Sequence, residues 1–210
     1  YLGLAYGSTG PLRPGATINW VGQAAPNWLD TLPNGVNYKH ADCNGDGIVN
    51  DNDTLAISLN YGFTHNKKPG VTEGGTGDPV LHFYIGQDTI PPSTAIQVEI
   101  RLGTAIEPTV DIYGLAFTVN YNSVLLDSGS FNFNLSNSWL TGTPVSTLIS
   151  VSHNYYSSGN FESGISRINQ SNTSGYGTIA SMGLRIIDSL QVPQMLKLTF
   201  SAVKIIDANG

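Results

Sequence analysis

The residues with the clearest chemistry lie in one short run, Asp42-Cys43-Asn44-Gly45-Asp46-Gly47-Ile48-Val49-Asn50-Asp51-Asn52-Asp53. Side chains carrying oxygen recur at alternate positions, Asp42, Asn44 and Asp46, so that three of them are aimed at one centre. A glycine, Gly47, follows where the chain must turn sharply around that centre. Ile48 offers a backbone carbonyl, and its side chain is expected to anchor the loop to the core. Asn50 can bind directly or through water, and Asp53 closes the shell. This donor set is all oxygen, and a hard cation that takes roughly six to eight oxygens, calcium, is the ion it suits. Magnesium fits poorly, because the loop supplies more protein oxygens than a small octahedral ion accepts. Cys43 should point away from the metal and reads as a passive side chain rather than a redox group.

Other constellations are weaker. His40, His65, His82 and His153 are scattered, without the spacing of a zinc site. No G-x-S-x-G elbow occurs for a serine hydrolase. Among the glutamates, Glu99 alternates outward on a strand and Glu73 falls in a linker. That leaves Glu107 with Glu162 as a glycosidase-type pair, which nothing in their setting favours. Gly175-Tyr176-Gly177-Thr178-Ile179-Ala180 fits G-x-G-x-x-A, but polar residues precede it and a strand follows, so it reads as a turn. Trp20, Trp28, Trp139, Tyr155 and Tyr156 could stack on sugars, although core or interface packing is the commoner fate of such rings. The sequence is therefore read as non-catalytic.

Composition supports an extracellular β-rich module. Charged residues are only 11% of the chain, and Gly, Ser, Thr and Asn hydrate the surface instead. The net charge is −6, and no Lys/Arg cluster exists to neutralise phosphates, which argues against nucleic acid as a partner. A single cysteine excludes an internal disulfide. No apolar run approaches the length of a membrane helix, so membrane insertion is not expected. No apolar leader opens the sequence, which reads as a mature chain or a window from a longer one.

The elements that must position the loop fall into zones. Residues 1–65 hold the loop and short helical pieces, and 66–79, rich in Gly, Pro and charge, read as a linker. From 80 to 210 the pattern has period two. Ile96, Val98, Ile100 and Leu102 alternate with Gln97, Glu99 and Arg101. Tyr113, Leu115, Phe117, Val119 and Tyr121 are expected to share one strand face, with a turn over Asn120 to Ser123. Leu196, Leu198 and Phe200 share another face, Ile179 to Ile187 reads as a more fully buried strand, and Asp127-Ser128-Gly129 reads as a turn. Many strands at short spacing, with no helical period between them, predict a mainly β fold, an antiparallel jelly-roll-like sandwich.

Leu2 to Thr9 matches Ile57 to Thr64 at an offset of 55 residues, and the second copy directly follows the loop. D-x-N-x-D-G-x-x-N-x-x-D, followed by a short helix over Thr54 to Tyr61 that ends at Gly62, resembles the dockerin half-site. Dockerins carry two such units, so the resemblance implies that Leu2 to Thr9 is the tail of an earlier half-site lying upstream of Tyr1. The family reads its cohesin partner through small hydroxyl residues at loop positions where Asp51 and Asn52 stand here. The stretch between the copies is also longer than in the family and includes Trp20 and Trp28. A structural calcium module therefore fits better than a docking plug.

The zone from 80 to 210 resembles a cohesin-like, carbohydrate-binding-type sandwich. Ile96 to Leu102, Tyr113 to Leu125 and Gly177 to Leu184 carry that resemblance, which implies a further strand after Gly210. The expected function is a non-catalytic structural or adhesive segment of a secreted bacterial cell-surface or fibre protein, rigidified by calcium. The alternatives are a cohesin–dockerin-type assembly module and a carbohydrate-binding module. Partners would be other copies or neighbouring domains of the same surface protein, or glycans. Thr31, Thr89 and Ser189, each following Asp, resemble a bacterial O-glycosylation signal.

Overall fold

The computed structural model describes residues 1–63, 77–190 and 192–209. Most of the expected linker, with Glu73, Lys67 and Lys68, lies outside the described residues, as does His65. The chain starts with helix α1 (Leu2–Ala5), and helix α2 (Asn52–Leu59) follows the acidic loop. Among the described residues ten strands come after it: β1 (Leu81–Tyr84), β2 (Ala95–Leu102), β3 (Thr109–Ile112), β4 (Gly114–Tyr121), β5 (Asn132–Asn134), β6 (Leu148–Tyr155), β7 (Asn160–Arg167), β8 (Thr173–Gly175), β9 (Gly177–Arg185) and β10 (Leu198–Ile206). Helix α2 starts and ends two residues before the expected Thr54 to Tyr61, because Asp51 is its N-cap and Asn60 its C-cap.

The strands form two antiparallel sheets, ordered β1-β2-β9-β5 and β10-β4-β7-β6, with a small β3-β8 ribbon. The fold is a mainly β antiparallel sandwich, as the period-two pattern predicts. Ile96, Val98, Ile100 and Leu102 on β2 are buried between the sheets. Burying one such side chain contributes roughly 1.5–3 kcal/mol. Strand β9 lies between β2 and β5, and Ile179, Ala180, Met182 and Leu184 are all buried on it. Leu196, Leu198 and Phe200 pack against the same core, and Phe83 of β1 stacks on Phe200 with ring centroids 3.9 Å apart. The Asp127 turn forms as expected, with the Asp127 carboxylate accepting from Gly129 N–H at 3.0 Å.

Two expectations about β4 need correction. Asn120 and Tyr121 are strand residues, and the turn starts at Asn122, whose side chain caps the following 3-10 turn at Val124 N–H. Tyr113 does not share the face of Leu115, Phe117, Val119 and Tyr121. The strand is interrupted between β3 and β4, so Ile112 takes the inward place. Tyr113 turns outward to join Leu4 and Leu32 in a separate cluster.

That cluster shows what covers the second sheet. Tyr113 Oη–H donates to Gly3 O at 2.8 Å, and Gln170 Nε2–H donates to Leu4 O at 2.9 Å. Gly3 lies so close to β7 that a Cβ there would overlap Ser166 Oγ and the Arg167 carbonyl. Glycine is what permits this approach. A second cluster, Leu2, Ala5, Trp28, Ala41 and Val49, packs with Ile57 of α2 and Ile149 of β6. The first 63 residues thus sit on β6 and β7 through side chains, backbone carbonyls and a shared apolar interior.

Candidate metal centre

The acidic loop folds around two buried carboxylates. Asp42 is 3% exposed and Asp53 is fully buried, at 0%. Asp42 Oδ1 accepts from Gly45 N–H at 2.7 Å and Oδ2 from Gly47 N–H at 3.1 Å. Asp53 Oδ1 accepts from Asn44 N–H at 3.1 Å and Oδ2 from Asn50 N–H at 2.9 Å. Side-chain-to-backbone bonds of shorter sequence range, two residues each, set the rest of the curve. Asn44 Oδ1 accepts from Asp46 N–H, Asp46 Oδ1 from Ile48 N–H and Asn50 Oδ1 from Asn52 N–H. Short polar side chains bonding to the backbone two residues on are what turn such a sequence into a loop rather than a helix. Gly45 and Gly47 have φ of +83° and +84°, a region other residues reach only with strain.

Several predicted ligands are placed differently from the expectation. Asp46 is exposed, and its second oxygen accepts from Asn44 Nδ2 at 3.0 Å. Among the described residues no three Asp, Glu, His or Cys side chains converge on one point. The acids therefore gather as the pair Asp42 and Asp53. Ile48 does not anchor the loop to the core: it is 45% exposed, and Val49, at 0%, takes that role. The reason is a strand-like pairing with the start of the chain. Ile48 bridges Thr9, Gly7 N–H donates to Val49 O at 2.8 Å and Val49 N–H to Ser8 O at 3.0 Å. Extended backbone alternates its side chains, so Val49 points inward and Ile48 outward.

The donor chemistry fits a cation. Among the described residues neither Asp42 nor Asp53 forms an ion pair with Lys or Arg. Burial, with the charge of Asp42 nearby, holds the Asp53 carboxyl above its usual range, although three backbone hydrogen bonds oppose this. A buried charge is costly unless it is paired or coordinates a metal. Each carboxylate oxygen has a lone pair beyond its amide bond, so Asp42, Asp53, the amide oxygens of Asn44 and Asn50 and the carbonyl of Ile48 are the groups that would hold calcium. The Cys43 thiol takes no part in these bonds, although the Cys43 backbone N–H is one of the three donors to Asp53. Burial and the neighbouring Asp53 and Asp42 push the thiol up to about 11.

The two matched segments also behave alike. Helices α1 and α2 each run into a glycine of positive φ, Gly7 at +83° and Gly62 at +85°. Tyr6 and Tyr61, one residue before each glycine, are both used in cis. Tyr6 Oη–H donates to Asp51 Oδ1 at 2.9 Å. Tyr61 hydrogen-bonds Glu162 on β7 and stacks on His153 of β6, ring centroids 5.9 Å apart. Burial and Glu162 push the Tyr61 hydroxyl up to about 12.

Because the folded value lies above the ordinary 10.0, the stability Tyr61 supplies is fully present below that pH and is lost as pH rises through about 12. Tyr61→Phe should therefore cost about 1 kcal/mol at neutral pH, the worth of one hydrogen bond. Urea midpoints measured from neutral pH upward should show that difference closing as the medium becomes strongly alkaline.

The other motifs are taken up by structure. Trp28 is buried with Nε1–H on Pro11 O, Trp139 Nε1–H donates to Gly177 O, and Tyr156 Oη–H is shared by Ser123 O and Leu126 O. These rings do not form an exposed row with Trp20, which lies 6.4 Å from Phe63. Glu107 sits in the β2–β3 turn and Glu162, which faces Tyr61, in the middle of β7. Of that glycine motif only Tyr176 lies between β8 and β9; Gly177, with φ +106°, opens β9, and Thr178, Ile179 and Ala180 continue it.

No protein-family model matches the chain, and no curated protein matches it. Solved structures do. The second type II cohesin module of the adaptor ScaA scaffoldin from Acetivibrio cellulolyticus matches with a TM-score of 0.50 at 12% identity, over 65% of this chain and 89% of that one. A chain of the OlpC cohesin–dockerin complex from Clostridium thermocellum matches with a TM-score of 0.50 at 14% identity, over 66% and 88%. The sandwich has a cohesin-like fold. In this cohesin-like sandwich, the outer side of β6 and β7 is the surface that α1, α2 and Trp28's cluster cover. The sequence pattern located the acidic loop but not this docking, because Gly3, Tyr61, Glu162 and Gln170 carry no local signal of meeting.

Proposed function

We propose that the chain is a non-catalytic structural module of a bacterial extracellular assembly, in which a dockerin-like calcium segment is seated on a cohesin-like sandwich of the same polypeptide. On this reading residues 1–65 are the calcium module, 80–210 the sandwich and 66–79 the connection between them. The observation that carries it is the packing of the loop segment on β6 and β7 through Gly3, Tyr61 and the Leu4–Leu32–Tyr113 cluster. Calcium would offset the two buried carboxylates and lock the loop. Locking the loop fixes Val49 and α2, and these hold the module against the sheet. An extracellular setting is consistent with the site, because calcium modules outside cells work at high free calcium. Among the described residues no helix is long and apolar enough to cross a membrane.

Asp51 supports a cis role. At a loop position the dockerin family uses for its partner, this residue accepts the Tyr6 hydroxyl of the same chain. A second reading, docking between chains, is favoured by the OlpC neighbour, which was solved with a dockerin. Sedimentation velocity over a wide concentration range, in calcium and in EGTA, separates the two. The cis reading expects a monomer throughout. Calcium-dependent self-association would overturn it in favour of docking between chains.

A further inference from the structure

Next to the acidic loop lies a cavity of about 400 Å³ lined by Arg13, Gln23, Lys39, His40, Asp42 and Cys43. Its charge is unusual for this chain. The whole sequence has nine Lys and Arg against fifteen Asp and Glu, yet the cavity gathers one Arg, one Lys and one of the four His. The one acid on the wall, Asp42, has both oxygens turned to the amides of Gly45 and Gly47.

The cations are incompletely satisfied by the protein. Lys39 Nζ donates to Ala25 O at 3.1 Å, which uses one of its three protons. Arg13 Nη2 donates to Cys43 O at 3.0 Å and Thr17 O at 3.3 Å, while its Nε–H is buried and has no hydrogen-bond partner among the described residues. A buried donor without an acceptor is costly, and basic groups around a concavity attract negative charge. The volume falls within the range of small-ligand sites.

We propose that this cavity binds a small oxyanion, the carboxylate or sulfate of an acidic sugar or the free inorganic ion, through Lys39, His40 and the Arg13 guanidinium. Arg and Lys are the side chains suited to such groups, the first through its planar fork and the second as a point charge. Gln23 is already tied to Thr17 and Asn19, so it shapes the wall.

Cys43 supplies the test. It is the chain's sole cysteine and lines the cavity, so its alkylation by iodoacetamide reports occupancy. The reaction is followed to completion near neutral pH, in calcium and at constant ionic strength. D-Galacturonate and sodium sulfate should each slow alkylation about tenfold at ten times their Kd. D-Galactose, neutral and of the same shape, should not. Lys39→Gln should raise the anion concentration needed for protection at least about tenfold, the loss of one charge-assisted bond, and Lys39→Arg should restore it. Tighter protection by galacturonate identifies a sugar acid, and equal protection a free ion. Absence of protection by either anion, equal protection by galactose, or unchanged protection in a folded Lys39→Gln variant would overturn the proposal.

Discussion

Asp53→Ala should lower stability by about 3 kcal/mol in calcium and abolish the response to calcium, since removing a buried acceptor leaves its donors unsatisfied at about 1–3 kcal/mol each. Three backbone N–H groups, those of Cys43, Asn44 and Asn50, lose their partner in this variant. Asp53→Asn separates the two causes. It keeps the shape and one carbonyl acceptor but removes the charge. In EGTA the ionised Asp53 is a liability, because burial holds its carboxyl above the usual range. Asp53→Asn should then be close to the parent protein in EGTA and well below it in calcium. Equal destabilisation by Asp53→Asn in both buffers would show that the residue acts only as a hydrogen-bond acceptor. Urea unfolding of the three proteins in each buffer gives the comparison.

Arg167→Leu should cost about 3–5 kcal/mol, since each buried carbonyl left without its donor costs about 1–3 kcal/mol. Arg167 closes β7 and is 0% exposed. Its Nε–H donates to Ser171 O at 2.8 Å, Nη2–H to Pro144 O at 2.7 Å and Nη1–H to Leu140 O. One side chain thus ties the segment before β6 and the segment after β7 to the end of the sheet. Leucine fills part of the volume and leaves three carbonyls without a donor. The Arg167 carbonyl also lies against Gly3, so loosening this end should loosen α1. Hydrogen exchange should show faster opening at Leu2 to Ala5 as well as around Leu140, together with a lower urea midpoint. A variant that loses stability with α1 protection unchanged would break the link between this network and the docked segment.

The strands were legible because their burial has a period the side chains repeat. Ile96 to Leu102 alternates in sequence and alternates in the sheet. Strand β7 alternates just as regularly in burial, yet its inward residues are Phe161, Ser163, Ile165 and Arg167, and two of these are polar. Hydrophobicity alone conceals such a strand. The acidic loop was legible as a run of donors, since local side-chain bonds build it. The orientation of Ile48 and Val49 was not, because pairing with Thr9 and Ser8 decides it. Tyr113 was misassigned for a related reason. Its ring is buried outside the sandwich, under residues far away in sequence. Asp51, whose departure from the dockerin pattern suggests a structural rather than a docking role, accepts the Tyr6 hydroxyl of the same chain, a contact that no local pattern announces.

Thermal unfolding in saturating calcium and in excess EGTA tests the account most directly. A ligand at about a hundred times its Kd stabilises the folded state by roughly 2.7 kcal/mol. For a chain of this size that raises Tm by about 5–10 °C. The prediction is a calcium-dependent rise of that order, in a single transition that carries the loop segment and the sandwich together. Superimposable transitions in calcium and EGTA would contradict it.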